Sequence, residues 1–162
     1  MLDTAQNITL TEGDGMEDKY LTFLVQDGEY GIEIQFVTEI IGVQDITPVP
    51  HTHHYVKGII NLRGTIVPVI DMRLRFSQEE AEYTDRTCII VLSMEDMSIG
   101  LIVDEVVEVL DIDDEHIQPP PSGNSGRQNH FIKAIGTARG SVKQLLDIDR
   151  VFEVGGEGPS AP

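Results

Sequence analysis

Short apolar runs separated by glycine, proline and acidic turns set the pattern of this chain. Tyr20 to Val25 is rich in aromatic and branched residues and reads as a strand. Asp27-Gly28 signals a tight hairpin, and Glu29 to Ile34 alternates with the period of two of a return strand. Gln35 to Ile40 leaves room for about one helical turn. Gly42 to Pro50 ends in Pro-Val-Pro, which cannot occupy the centre of a sheet. Val56 to Ile60 and Thr65 to Ile70 predict a second hairpin over Asn61-Leu62-Arg63-Gly64, with glycine where positive φ is needed. Beyond a polar connector, Ser77 to Arg86, a third hairpin is predicted from Thr87 to Leu92 and Ser98 to Val103, turning over Met94-Glu95-Asp96. Pro119 to Gly126 is a long loop, and Leu145 to Phe152 can close as a short helix or strand. Many short strands with Gly/Pro turns predict an all-β barrel or sandwich.

The pattern occurs twice. Tyr55-Val56-Lys57-Gly58-Ile59-Ile60-Asn61-Leu62-Arg63-Gly64-Thr65-Ile66 is echoed by Phe131-Ile132-Lys133-Ala134-Ile135-Gly136-Thr137-Ala138-Arg139-Gly140-Ser141-Val142. Each copy runs on to an apolar pair and an aspartate, Val69-Ile70-Asp71 and Leu145-Leu146-Asp147. Upstream, Val37-Thr38-Glu39-Ile40-Ile41 matches Val103-Asp104-Glu105-Val106-Val107. Apolar pattern kept while identity drifts is the mark of a duplicated fold unit. Modules of about 55–65 residues are marginal alone, so the two are expected to pack on each other and leave a fixed groove at their seam.

Charge narrows the partners. Against 28 acidic residues stand only 11 Lys and Arg, a net −17, which disfavours a phosphate backbone or an anionic lipid surface. Nucleic acid is excluded as a main partner, and no apolar run approaches the roughly 20 residues of a membrane helix, so no direct membrane insertion is expected. Residues 1–18 carry few large apolar side chains and read as a tail without a secretory signal; Gly155 onward reads as another. The lone Cys88 excludes an internal disulfide and fits a reducing compartment.

Catalytic signatures fail one by one. Gly123-Asn124-Ser125-Gly126-Arg127 lacks the second glycine of a serine elbow, and no phosphate-binding loop ends in Gly-Lys-Ser/Thr. Asp111 to Glu115 has the acids of a calcium loop without its glycine. His51-Thr52-His53-His54 could share a metal or be neutral loop histidines; Cys88 lies mid-strand as a small hydrophobe. What remains is Arg63 on its glycine turn, with Glu39 after the first strand pair. Arg63 either offers a guanidinium fork to a carboxylate or carbonyl or is a solvated hairpin charge, and Val37 and Ile40 supply either partner contact or core.

Tyr20-Leu21-Thr22-Phe23 with Tyr30-Gly31-Ile32, Val37-Thr38-Glu39-Ile40, and Lys57 to Asp71 with its Asn-Leu-Arg-Gly-Thr-Ile-Val-Pro-Val-Ile-Asp string resemble the CheW family of bacterial chemotaxis coupling proteins. The likeness continues through Ile99 to Asp104 and Leu145 to Ile148, covering residues 19 to about 152. It implies two intertwined SH3-like five-stranded barrels with short helices, one about 19–76 and the other about 87–146, a closing segment 147–152, and a tail 153–162. It also implies a non-catalytic cytoplasmic adaptor, without cofactor or metal, joining the tips of methyl-accepting chemoreceptors to the regulatory domain of the histidine kinase CheA in membrane-associated arrays. A CheV-type scaffold module, or an adaptor of a related non-flagellar pathway, would share the fold. Carried over by position, Val37, Glu39, Arg63, Ile66, Gly100, Val106 and Val109 fall in the receptor-binding and signalling region, and Gly58 where kinase coupling is sensitive. The last strand is less apolar than the family's, with Val142-Lys143-Gln144-Leu145, which predicts an exposed or irregular edge there.

Overall fold

The computed structural model describes residues 18–120 and 130–152. The tail expected at 1–18, apart from Asp18, the tail expected at 153–162, and most of the 119–126 loop with its Gly123–Arg127 stretch lie outside the described residues. Among the described residues eleven strands run as β1 (Lys19–Val25), β2 (Gly28–Glu33), β3 (Val37–Gly42), β4 (Val56–Leu62), β5 (Thr65–Asp71), β6 (Cys88–Met94), β7 (Met97–Val103), β8 (Glu105–Asp111), β9 (Ile117–Gln118), β10 (Ile132–Ala138) and β11 (Ser141–Leu146). Single helical turns follow β5 (Met72–Arg75) and β11 (Ile148–Val151).

The three hairpins fall where the sequence places them, but the turn expected at Gln35–Ile40 shrinks to a 3-10 turn at Ile34–Phe36, and Val37–Gly42 is strand. The branched residues Val37, Thr38, Ile40 and Ile41 favour that state.

Two sheets form, ordered β8-β1-β2-β11-β10-β9 and β3-β6-β7-β5-β4. Each takes its leading hairpin from one repeat and its next strands from the other: β1–β2 with β8, β10 and β11; β6–β7 with β3, β4 and β5. Parallel pairs, β2 with β11 and β7 with β5, stitch the repeats together. The barrels are therefore intertwined, and the contiguous halves 19–76 and 87–146 do not coincide with them.

Strand exchange also fixes which residues correspond. Phe23 pairs with Val106 and Thr22 with Glu108; Leu92 pairs with Val37 and Val91 with Glu39. A register shift sits at the same point in both, skipping Val107 in one strand and Thr38 in the other. The structural mate of Val37-Thr38-Glu39-Ile40-Ile41 is thus Val106-Val107-Glu108-Val109-Leu110, three residues beyond the match read from sequence.

Burial follows the same plan. Cys88, Ile90 and Leu92 on β6, with Leu21, Phe23 and Val25 on β1, enter the large cluster between the barrels. The alternate residues Ile89 and Val91 line the β6–β7 barrel, and Tyr20 lines the other with Leu110, Ile112 and Leu145. Strands buried on both faces read as unbroken apolar strings, as Cys88 to Leu92 does. β11 is no edge: it lies between β2 and β10, and Lys143 is 2% exposed. Its ammonium lies 2.5 Å from the Ser141 hydroxyl and 3.4 Å from Glu29, so the polar residue that suggested an exposed strand is a buried, paired one.

Candidate docking site

The tip joining β4 to β5 is a rigid pedestal. Arg63 and Gly64 both adopt positive φ, 54° and 91°, and Asn61 Oδ1 accepts from the Gly64 amide at 2.8 Å. Glycine takes this geometry freely, whereas Arg63 is held in it by the turn. The bulge in β3 aims Glu39 at the tip, with Thr38 Oγ1 anchored on the Val91 carbonyl at 3.0 Å. Arg63 Nη2 donates to Glu39 Oε2. The arginine side chain stays 70% exposed and the glutamate 31%, so most of the fork faces solvent. Such a pair stabilises the fold by only about 0.2–1 kcal/mol, which leaves it cheap to rearrange on a partner. Two residues beyond Gly64, Ile66 is 55% exposed and supplies apolar surface.

Other expected contacts turn inward. Val37 and Ile40 are buried in the central cluster, which decides between partner contact and core in favour of core. Gly100 is buried in β7 between Val91 and Val69, and a side chain there would strike Ile89 Cγ2 at 2.8 Å. Val106 and Val109 are half-buried against the central cluster. Gly58 is buried in β4 with φ 147°, and an added Cβ would lie 2.1 Å from the Thr47 carbonyl oxygen. Its role is to let that backbone approach. Of the eight expected positions, Glu39, Arg63 and Ile66 form the accessible cluster.

A second copy of this cluster sits on the other barrel. Arg139 and Gly140 repeat the turn with φ 53° and 78°, and Arg139 reaches Glu108, the mate of Glu39, at 3.6 Å. Val142, the mate of Ile66, is 54% exposed. The Arg-Gly repeat signalled this second patch in the sequence; the three-residue misalignment hid its glutamate.

Two other candidates lie away from these tips. His53 stacks on Tyr55 with centroids 5.0 Å apart and His54 meets the same ring edge-on, so these histidines pack as aromatics. Among the described residues the ligand atoms close enough for a metal belong to Asp113, Glu115 and His116, all exposed, the last two on a 3-10 turn and Asp113 just before it. Cys88 is buried; desolvation, aided by the charge of Glu105, pushes its thiol up, away from the nucleophilic form. A half-open cavity of about 210 Å³ is lined by Asp71, Arg73, Tyr83 and Asp104. Its groups are engaged with one another: Arg73 donates to both Asp104 oxygens at 3.0 and 2.6 Å, and the Tyr83 hydroxyl to Asp71 at 3.0 Å. No helix among the described residues is long and apolar enough to cross a membrane.

Comparison with known proteins agrees with this architecture. The chain is 37% identical over 132 residues to the chemotaxis protein CheW of Rhizobium meliloti, covering 82% of this chain and 85% of that one. It is 34% identical over 140 residues to the chemotaxis protein CheW of Klebsiella aerogenes, covering 86% and 84%. The crystal structure of the scaffolding protein TtCheW from Thermoanaerobacter tengcongensis superposes with a TM-score of 0.79 at 34% identity, covering 86% of this chain and 94% of that one. The model of the CheW-like domain family matches residues 19–155, and with the exchanged barrels and the Arg-Gly pedestal in place, this chain belongs to that family.

Proposed function

We propose that this protein is a non-catalytic chemotaxis adaptor that docks chemoreceptor tips and the kinase CheA, and lets the first control the second. The observation that carries this reading is the Arg63–Glu39–Ile66 cluster: a solvent-facing guanidinium, a carboxylate and an aliphatic side chain on a rigid hairpin tip. Its chemistry suits the apolar and carboxylate-bearing surface of a helical partner. The relatives' names, chemotaxis proteins and a scaffolding protein, support the pathway. The fold suits the task because a core shared by both barrels holds any two bound partners at one angle. Work in a cytoplasmic array at the inner face of the membrane follows from this role. A coupling free energy of about 1–3 kcal/mol gives a several-fold change in kinase output.

The test is kinase phosphorylation reconstituted with receptor-bearing membranes. Output should become receptor-controlled only when the protein is added, Arg63→Glu should abolish that control while remaining folded, and pairing it with Glu39→Arg should restore part of it. Control that survives Arg63→Glu would remove the cluster from the mechanism. A wild-type protein that binds neither partner would remove the pathway.

A further inference from the structure

The two barrels meet across one buried arginine. Arg75, on the helical turn after β5, is 7% exposed and lies between two aromatic rings, 4.1 Å from the Tyr55 centroid and 4.6 Å from that of Phe131. Those rings are repeat mates, one leading into β4 of the β6–β7 barrel and the other into β10 of the β1–β2 barrel. Their backbones are pinned alike: Asp71 N donates to Tyr55 O at 2.9 Å and Asp147 N to Phe131 O at 2.8 Å. The guanidinium then crosses the seam. Nε donates to Val151 O at 2.8 Å and Nη2 to Arg150 O at 3.3 Å.

By the repeat, Val151 is the mate of Arg75 itself, so the bond runs from one residue to its own counterpart across the pseudo-two-fold axis. An axis has room for one such side chain, and the counterpart is accordingly a fully buried valine. A planar fork serves here where an ammonium would not: its faces meet the two rings while its edge addresses carbonyls of the other barrel. Rotating one barrel against the other would pull the fork off both carbonyls and strand a charge in the core.

We propose that Arg75 is a positioning residue that fixes the angle between the barrels, and that control of one docked partner by the other requires this lock. The second clause rests on the adaptor reading above; the first stands without it. Spin labels at Met97→Cys and Val142→Cys, exposed and on different barrels, in a Cys88→Ala background report the angle as a distance distribution. Arg75→Leu should broaden or shift that distribution, and Arg75→Lys, which keeps charge but loses the fork, should do the same while folding more readily. In the reconstituted kinase assay, Arg75→Lys should bind each partner as the wild type does yet lose receptor control at least about fivefold. Distance distributions that superpose on the wild type in both variants would overturn the lock. A disturbed distribution with coupling intact would overturn its functional role. A disturbed distribution with no coupling even in the wild type would uphold the lock and reject the adaptor reading.

Discussion

Gly58→Ala separates a contact residue from a packing residue, because a single methyl group has a calculable consequence. Gly58 follows the register shift between Val56 and its own pairing with Val69, at φ 147°, where L-residues rarely sit. The Thr47 carbonyl oxygen lies 2.1 Å from an ideal Cβ, with Thr47 C at 2.7 Å and Ile46 Cγ2 at 2.9 Å. The struck atom is backbone, so no side-chain rotation relieves it and trimming Thr47 cannot rescue the variant. Alanine at this φ is strained by about 1–3 kcal/mol whatever the space around it, and the 43–50 segment must also move away from its Cβ. Moving it breaks two hydrogen bonds, Thr47 N to Ile59 O and Ile59 N to Thr47 O, both 2.9 Å, each worth about 0.5–1.5 kcal/mol. Acting together these predict a loss of about 2–6 kcal/mol. The corresponding fall in Tm is roughly 5–20 °C.

Urea melts with a constant m-value measure the loss, and amide exchange at Ile59 and Thr47 locates it. The control comes from the duplication: Ala134 is the mate of Gly58 in β10 and already carries the methyl group, so Ala134→Gly should cost only about 0.5–1 kcal/mol. Any loss of kinase coupling in Gly58→Ala should then track the opening of the 43–50 segment rather than a missing contact. A Gly58→Ala protein within about 0.5 kcal/mol of the wild type would refute the reasoning.

Other expectations follow from named pairs. Arg139→Glu, removing the fork of the second patch, should change stability by less than about 1 kcal/mol and leave receptor control intact, since its mate Arg63 carries the proposed site; loss of control in the kinase assay would make both patches functional. Lys143→Met should be neutral or stabilising in urea melts, whereas Glu29→Ala, which leaves the buried ammonium with Ser141, should cost about 1–3 kcal/mol. Burial raises Cys88 above its ordinary 9.0 and Tyr20 and Tyr30 above 10.0, so their protonated forms favour the native state. With folded values above unfolded ones, that stability is complete below about pH 9 and is lost as pH climbs through the raised values. Urea midpoints between pH 8 and 11 should fall, with Cys88→Ala delaying the onset; a flat profile would contradict the assignment.

The sequence showed the duplication, the three hairpins, the turn glycines and the Arg63 pedestal because each depends on neighbours in the chain. Strand pairing across the repeats was hidden, since β8 joins β1 over more than eighty residues and no local pattern encodes that choice. Val37 and Gly100 illustrate the same limit: both lie in recognisable motifs, yet exposure depends on which strand covers them, and the exchange covers both. Lys143 misled in the opposite direction, because a lysine signals solvent until its carboxylate partner, 114 residues away, is seen.

Exchange of strands also explains why the repeats could diverge without separating. A tandem pair of closed barrels can drift apart in angle, because each satisfies its own hydrogen bonds. Here neither barrel exists without the other repeat's strands, and the largest apolar cluster belongs to both. Substitutions at the hairpin tips, such as the tighter Arg63–Glu39 pair against the looser Arg139–Glu108 pair, leave that shared frame untouched. One tip can therefore specialise for a partner while the other changes freely, and the angle between them stays a property of the seam, where Arg75 meets a valine as its mate and no second arginine.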